Sequence, residues 1–336
     1  MLRIGLVGAG DAASHHARAL ASLASLASPE VALAGACART RASAERLCAE
    51  HGLAAPVFDS FEALVASRAC DAIVLATPDG LHVEQAIAAA RAGLHALVEK
   101  PLGLTAESAA RACQAARAAG TALVAGYHLR HHAGHRALRA AMAERVGEPR
   151  HVYVRWAWPD PKTDGWRARG EGARFFAMAA LGTHALDLCM WLLGGPPREV
   201  SGRLFVEGAT DRAAEITLEF PGGAVAHVSV SVRERALSRL VVAGPLGELE
   251  CAGSLGARGG GELGYRARGG PLVPLAFEPE SPYVAQLRAF MQDVRVGAID
   301  TAALENVATL DRLSALLPNP AADPGDVTLD DERCAR

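Results

Sequence analysis

The sequence lacks paired cysteines. Its seven, Cys37, Cys48, Cys70, Cys113, Cys189, Cys251 and Cys334, are scattered and odd in number. No two stand in a Cys-x-x-Cys pair, which argues against a disulfide framework or a thiolate zinc site. A reducing cytoplasm is the expected setting. A charge bias is also missing. The formal net charge of −3 gives no basic surface for nucleic acid or an anionic membrane. No apolar run reaches the roughly 18 residues of a membrane helix. The opening Met1–Gly8 has no leader-type apolar core and reads as a strand. Proline and glycine are at ordinary levels, and no internal repeat is visible. What remains is a chain of 336 residues, half of them hydrophobic. That is enough for about two domains of roughly 150 residues each.

The first 125 residues alternate short apolar runs with Ala-rich helical stretches. Strands are expected at Leu2–Val7, Val31–Cys37, Ala72–Ala76, His95–Val98 and Thr121–Ala125. Helices are expected at Ala12–Leu26, Ser43–His51, His82–Ala92 and from a Thr105 cap to Ala119, with Gly93 and Gly120 as stops. This alternation predicts an α/β doubly wound parallel sheet, apolar on both faces. From residue 126 the period changes to two. Ile216, Leu218 and Phe220 alternate with Glu215, Thr217 and Glu219, and residues 224–233 repeat the pattern. Val152–Trp158, Val200–Val206 and Leu240–Ala243 look like further strands. The expectation is an α+β domain over 126–317 with a mainly antiparallel, open-faced sheet. Helices Val284–Val296 and Ala302–Leu317 close it, and 318–336 reads as a tail. The open sheet face suits a homodimer or homotetramer.

Gly8-Ala-Gly10-Asp-Ala-Ala13 follows the first strand and opens a helix. Gly8 allows the tight turn, Gly10 the close approach of backbone to a pyrophosphate, and Ala13 the packing of helix on strand. The helix start offers free N–H groups to phosphates. An NAD site usually carries a carboxylate at the end of the second strand. Here the run is Cys37-Ala-Arg39-Thr-Arg41, so NADP(H) is the expected preference, with NAD(H) possible.

Ala76-Thr77-Pro78-Asp-Gly-Leu-His82 and Val98-Glu99-Lys100-Pro101 add a specific signature. With His16, Gly126-Tyr-His128-Leu-Arg130 and Gly182-Thr-His184-Ala-Leu-Asp187, the chain resembles the glucose-fructose oxidoreductase/inositol dehydrogenase/rhizopine catabolism (Gfo/Idh/MocA) family over nearly its whole length. The resemblance implies a dinucleotide-binding Rossmann domain and hydride transfer to or from a sugar, polyol or similar small molecule. Lys100 is implied as a proton-handling group. Thr77, Pro78, His82, Glu99 and Lys100 are expected beside the cofactor. His184 is the expected partner of Lys100, because imidazole titrates near neutrality. Asp187, Arg130 and His128 are expected near the substrate.

One position departs from the family. An Asp often precedes this histidine by four residues, and here stands Ala180. Lys100 and His184 suffice, or Asp164 or Glu171 substitutes, or redox chemistry is lost. A non-catalytic dinucleotide sensor and a nicotinamide-dependent glycoside hydrolase are the alternatives on the same fold. His128, His131, His132 and His135 have the spacing of one helical face, which raises a metal site. No carboxylate or cysteine accompanies them, and no metal is expected. Tyr153, Trp156, Trp158 and Trp166 are open to two readings, sugar stacking or core.

Overall fold

The computed structural model describes residues 1–26, 30–159, 165–170 and 173–316. The proposed tail, Cys334, Asp164 and Glu171 lie outside the described residues. The first half runs β1 (Leu2–Val7), α1 (Asp11–Ala24), β2 (Val31–Cys37), α2 (Arg41–Glu50), α3 (Phe61–Ala66), β3 (Ala72–Leu75), α4 (His82–Arg91), β4 (His95–Val98), α5 (Ala106–Ala119) and β5 (Leu123–Ala125). Its strands form a parallel sheet in the order β2-β1-β3-β4-β5. Ile4, Leu6, Ile73, Val74, Leu75, Leu97 and Val98 are fully buried, because helices cover both faces. Thr105 caps α5 in a reciprocal box with Ser108, and Gly120 ends it in the left-handed conformation. Ser60 caps α3, a six-residue helix too short to show a period in sequence.

The second half continues with α6 (Ala133–Arg145), β6 (His151–Ala157), α7 (Thr183–Leu193), β7 (Glu199–Glu207), β8 (Thr210–Glu219), β9 (Val225–Ser231), β10 (Arg239–Ala243), β11 (Gly247–Ala252), β12 (Glu262–Ala267), β13 (Leu272–Leu275), α8 (Pro282–Val296) and α9 (Thr301–Ser314). Eight strands form one sheet in the order β13-β12-β11-β10-β6-β9-β8-β7. Only β6 and β9 pair in parallel; the other neighbours are antiparallel. Val152, Val154 and Trp156 of β6 point into the core, while His151, Tyr153 and Arg155 stand on the outer face. α6 and α7 lie against the inner face.

The closing helices do not stay with the second sheet. Tyr283, Leu287 and Phe290 of α8 join the core under α1, and Ala303 and Val307 of α9 join the core beside α5. Leu310 and Leu313 of α9 pack into the second core. The C-terminal helix pair therefore fastens the two halves together across the cleft.

The four clustered histidines do not share one helix. His128–His131 form a 3₁₀ turn and His132 is the cap of α6. His132 Nε2 bonds the Gly260 carbonyl at 2.9 Å, and its Nδ1 accepts from the Gly134 N–H at 3.1 Å. His135 bridges the Leu129 carbonyl at 2.9 Å and Ser254 Oγ at 2.8 Å. These rings serve as structural cross-links between the turn and the 254–260 loop. Among the described residues, no three His, Cys, Asp or Glu side chains gather as metal ligands.

Candidate active site

The strand ends of the parallel sheet, the turn before α6 and the start of α7 converge on one cleft. At its dinucleotide end, Gly8 has φ +113°, and a Cβ there would stand 2.2 Å from the Ala76 carbonyl oxygen. Only glycine permits the loops after β1 and β3 to approach so closely. Gly10 is the N-cap of α1, with no side chain capping the helix. The space where its Cβ would project is open to 4 Å. The start of the helix thus faces room for a phosphate. Ala13 is fully buried in the core beneath. The geometry fits a dinucleotide.

At the end of β2, the two arginines differ. Arg41 is held by Glu45 and Asp59, each at 2.9 Å. Arg39 is exposed and has no side-chain partner among the described residues. Thr77 Oγ1 donates to Gln85 Oε1 at 2.6 Å. His82 is fully buried and bridges the Thr77 carbonyl at 2.9 Å and the Pro101 carbonyl at 2.7 Å. It ties the loops after β3 and β4 together from below. Glu99 is buried against His16 Nε2 at 2.8 Å. Burial alone would push that carboxyl up. The His16 contact, with Lys100 and His128 nearby, outweighs it and holds Glu99 below the ordinary carboxylate range.

Lys100 follows on a cis Lys100–Pro101 bond. Its Nζ donates to the Ala179 carbonyl at 3.0 Å and the Ala180 carbonyl at 3.3 Å. These carbonyls are turned inward by a π-helical turn, Met178–Gly182, that leads into α7. Burial pulls the Lys100 ammonium down to about 8; Arg167 adds to the pull, while Glu99 and Asp79 oppose it.

His184 is 3 % exposed and makes no side-chain hydrogen bond among the described residues; its Nδ1 is buried without a partner. The ring lies among His128 at 4.7 Å and Tyr127 and Trp156 at 5.9 Å. The neutral-range titration expected from sequence is not retained here. Burial, with Lys100, His128 and Arg167 adding to it, pushes the imidazole well below its usual value. It stands as a neutral ring. His128 is likewise pushed down to about 3 by burial, with its ring stacked on Tyr283 at 4.5 Å.

Arg130 and Asp187 are brought together, but with each other. Arg130 Nε donates to Asp187 Oδ2 at 2.7 Å, Nη2 donates to Oδ1, and Asp300 lies 3.5 Å from Nη1. Burial pushes the Asp187 carboxyl up to about 6, and the Arg130 guanidinium checks that rise. Asp187 is 1 % exposed, a buried partner of Arg130. A direct substrate contact would require this pair to open.

Sequence reasoning missed two further carboxylates. Asp211 of β8 is fully buried and accepts the Phe176 and Met178 N–H groups, both at 2.7 Å. It holds the turn that aims the Ala179 and Ala180 carbonyls. Asp79, beside the quoted Thr77-Pro78, pairs with Arg167 Nη2 at 2.8 Å. The four aromatics do not form one platform. Trp156 packs by His184, Tyr153 stands on the outer sheet face, Trp158 is exposed under Arg235, and Trp166 lies under Arg167.

Residues 2–127 match the oxidoreductase family with an NAD-binding Rossmann fold, and residues 135–250 match the GFO/IDH/MocA C-terminal domain. The chain belongs to the Gfo/Idh/MocA family. Within it, a 1,5-anhydro-D-fructose reductase of Ensifer adhaerens is 40 % identical over 162 residues, covering 47 % of this chain and 48 % of that protein. The chain thus aligns with about half the length of that relative. An inositol 2-dehydrogenase of Paracoccus denitrificans is 32 % identical over 242 residues, 69 % of this chain and 67 % of that one. The solved aldose-aldose oxidoreductase from Caulobacter crescentus, complexed with glycerol, superposes with a TM-score of 0.84 at 20 % identity, over 94 % of this chain and 97 % of that one. That likeness concerns the fold. Among the described residues, no helix of this Gfo/Idh/MocA chain is long and apolar enough to cross a membrane.

Proposed function

We propose that the protein is an NAD(P)-dependent oxidoreductase acting on a hydroxyl or keto carbon of a sugar, polyol or similar small molecule. The observation that carries this reading is Lys100: a part-buried amine at the carboxyl end of the parallel sheet, held by two carbonyls, in the same cleft as a His184 that makes no side-chain hydrogen bond among the described residues. An ammonium has three N–H donors. Among the described residues two are used, on Ala179 and Ala180, and the third would serve the oxygen of a substrate. As a neutral amine, Lys100 keeps both carbonyl bonds and turns its lone pair to the same place. Proton exchange with the reacting oxygen therefore needs no rearrangement of the side chain.

The bound nicotinamide would supply or accept the hydride. Gly8, Gly10 and the start of α1 would hold its pyrophosphate, and His82 would hold the Thr77 and Pro101 loops in register. His184 orients the reacting oxygen as a neutral hydrogen-bonding group, while Lys100 carries the proton. Arg39, without a side-chain partner among the described residues, and the lack of a carboxylate after β2 favour NADP(H) over NAD(H). Arg41, already engaged by two carboxylates, contributes less. Self-association as a homodimer or homotetramer through the open face of the second sheet belongs to the same reading, as does a cytoplasmic setting for six buried free thiols.

The test is turnover of a panel of sugars, polyols and their keto forms, followed by nicotinamide absorbance. Net oxidation or reduction of free cofactor, abolished in Lys100→Ala, supports the reading. Bond cleavage in a glycoside with no net cofactor change would replace it.

A further inference from the structure

The sheet lets go of the chain just before Lys100. The Glu99 N–H still donates to the Leu75 carbonyl of β3, at 2.8 Å. The Lys100 N–H does not continue that ladder; it donates to Oε2 of the Glu99 side chain at 3.3 Å. Pro101 has no N–H to offer. The other oxygen of the same carboxylate, Oε1, meets His16 Nε2 at 2.8 Å. An ionised carboxylate only accepts, so Nε2 is the donor of this bond. One carboxylate thus bridges helix α1 and the backbone of the lysine. Its surroundings leave it little room to turn. His16 is 0 % exposed and Glu99 4 %. The His16 ring stands edge-on to Tyr283 of α8, with centres 5.0 Å apart, and Tyr283 in turn stacks on His15. At Gly126 a Cβ would come within 3.1 Å of Glu99 Oε1. A buried carboxylate needs its donors, so the His16 contact fixes where Oε1 sits. The hydride chemistry proposed above gives neither His16 nor this bridge a role.

We propose that His16 is a positioning residue: through Glu99 it holds the backbone amide of Lys100, and so sets where the proton-handling amine stands. The inference rests on reading Lys100 as that group. At the far end of the side chain, the Ala179 and Ala180 carbonyls take Nζ. The lysine is therefore fixed twice, at its amide by the bridge and at its amine by the π-helical turn. His16 belongs to α1, the helix whose start faces the room for a phosphate, so the bridge joins that helix to the lysine. Without it the Nζ contacts alone would hold the residue. A displacement of about 1 Å at a reacting group can cost about a hundredfold in rate.

The chain has only two lysines, Lys100 and Lys162, so labelling with ¹⁵N-lysine makes the Lys100 amide one of two signals, assigned with Lys162→Arg. The experiment is hydrogen exchange of that amide, followed by NMR in the protein without cofactor. His16→Leu removes the donor to Glu99 and should speed exchange at least about tenfold, the usual worth of a hydrogen bond to a charged group. His16→Gln places an N–H where Nε2 stood and should restore a rate near that of the parent. An unmoved rate in folded His16→Leu overturns the proposal, as does a rate in His16→Gln as fast as in His16→Leu. Should His16→Leu not fold, His16→Asn serves, because its shorter amide falls short of Glu99; it must speed exchange likewise, and an unmoved rate overturns the proposal. Turnover separates positioning from packing. kcat should fall by about ten- to a hundredfold in His16→Leu and return in His16→Gln, with KM and NADPH binding near those of the parent. An unchanged kcat beside a freed amide overturns the role. The exchange arm needs neither cofactor nor substrate. Exchange that responds as stated in a protein without turnover upholds the bridge and faults the proposed activity, and unmoved exchange in an active enzyme does the reverse.

Discussion

Lys100 Nζ donates to the backbone carbonyl of Ala180, at 3.3 Å, at the position where the family often carries an aspartate. That carbonyl is backbone and is offered whatever the side chain; with alanine at 180, no carboxylate joins Glu99 and Asp79 against the burial that lowers the Lys100 amine.

Lys100 should therefore carry the largest kinetic effect. Lys100→Ala should lower kcat by about 10²–10⁴, the usual span for loss of a positioned acid or base, with cofactor affinity nearly unchanged. Steady-state kinetics with a separate binding titration checks both halves. In the oxidising direction the amine must accept a proton, so the rate should rise with pH through about 8. In the reducing direction the ammonium must donate, so the rate should fall across the same range.

The same group should weaken the fold. Its folded value of about 8 lies below the unfolded 10.5, so the unfolded chain holds this proton more tightly. The cost is present in full below pH 8 and fades as pH rises toward 10.5. Lys100→Met should therefore stabilise the protein at neutral pH, by about 2 kcal/mol after allowing for partial exposure. The gain should vanish at high pH. Denaturant melts of both proteins at pH 7 and near pH 10.5 give the comparison.

Asp211 should matter for stability and, through Ala179 and Ala180, for Lys100. Asp211→Ala leaves two buried N–H groups unmade, at about 1–3 kcal/mol for each. A melt measures that loss. A fall in kcat larger than the change in KM would show that the turn aims the lysine.

Arg39→Glu places a carboxylate where a 2′-phosphate would sit. NADPH binding should weaken by at least about tenfold, while NADH binding is maintained or improved. Arg41→Glu should do less, because Arg41 is already paired. Parallel titrations with both cofactors distinguish the two arginines.

The parallel half was legible because its strands are uniformly apolar and its helices end in signals such as Thr105 and Gly120. The second sheet was harder. β11 reads Gly-Glu-Leu-Glu-Cys-Ala and β13 carries Pro274, tolerated at the sheet edge, so neither advertises a strand. The site was legible where motifs are local: Gly8, Gly10, Lys100, His184. It was not where partners meet across the chain. Nothing near Asp211 signals that it will hold residues 176–178, and nothing in the Arg130 motif says that its fork closes on Asp187. The depressed titration of His184 is also a consequence of burial, which a sequence does not display.

The measurement that bears most directly on the whole account is a titration of the purified protein, freed of any retained nucleotide, with NADPH and NADH. The account predicts saturable binding, tighter for NADPH, lost in Gly8→Val, where a side chain would run into the Ala76 carbonyl, and kept in Lys100→Ala. Failure of the folded parent protein to bind either cofactor would contradict it.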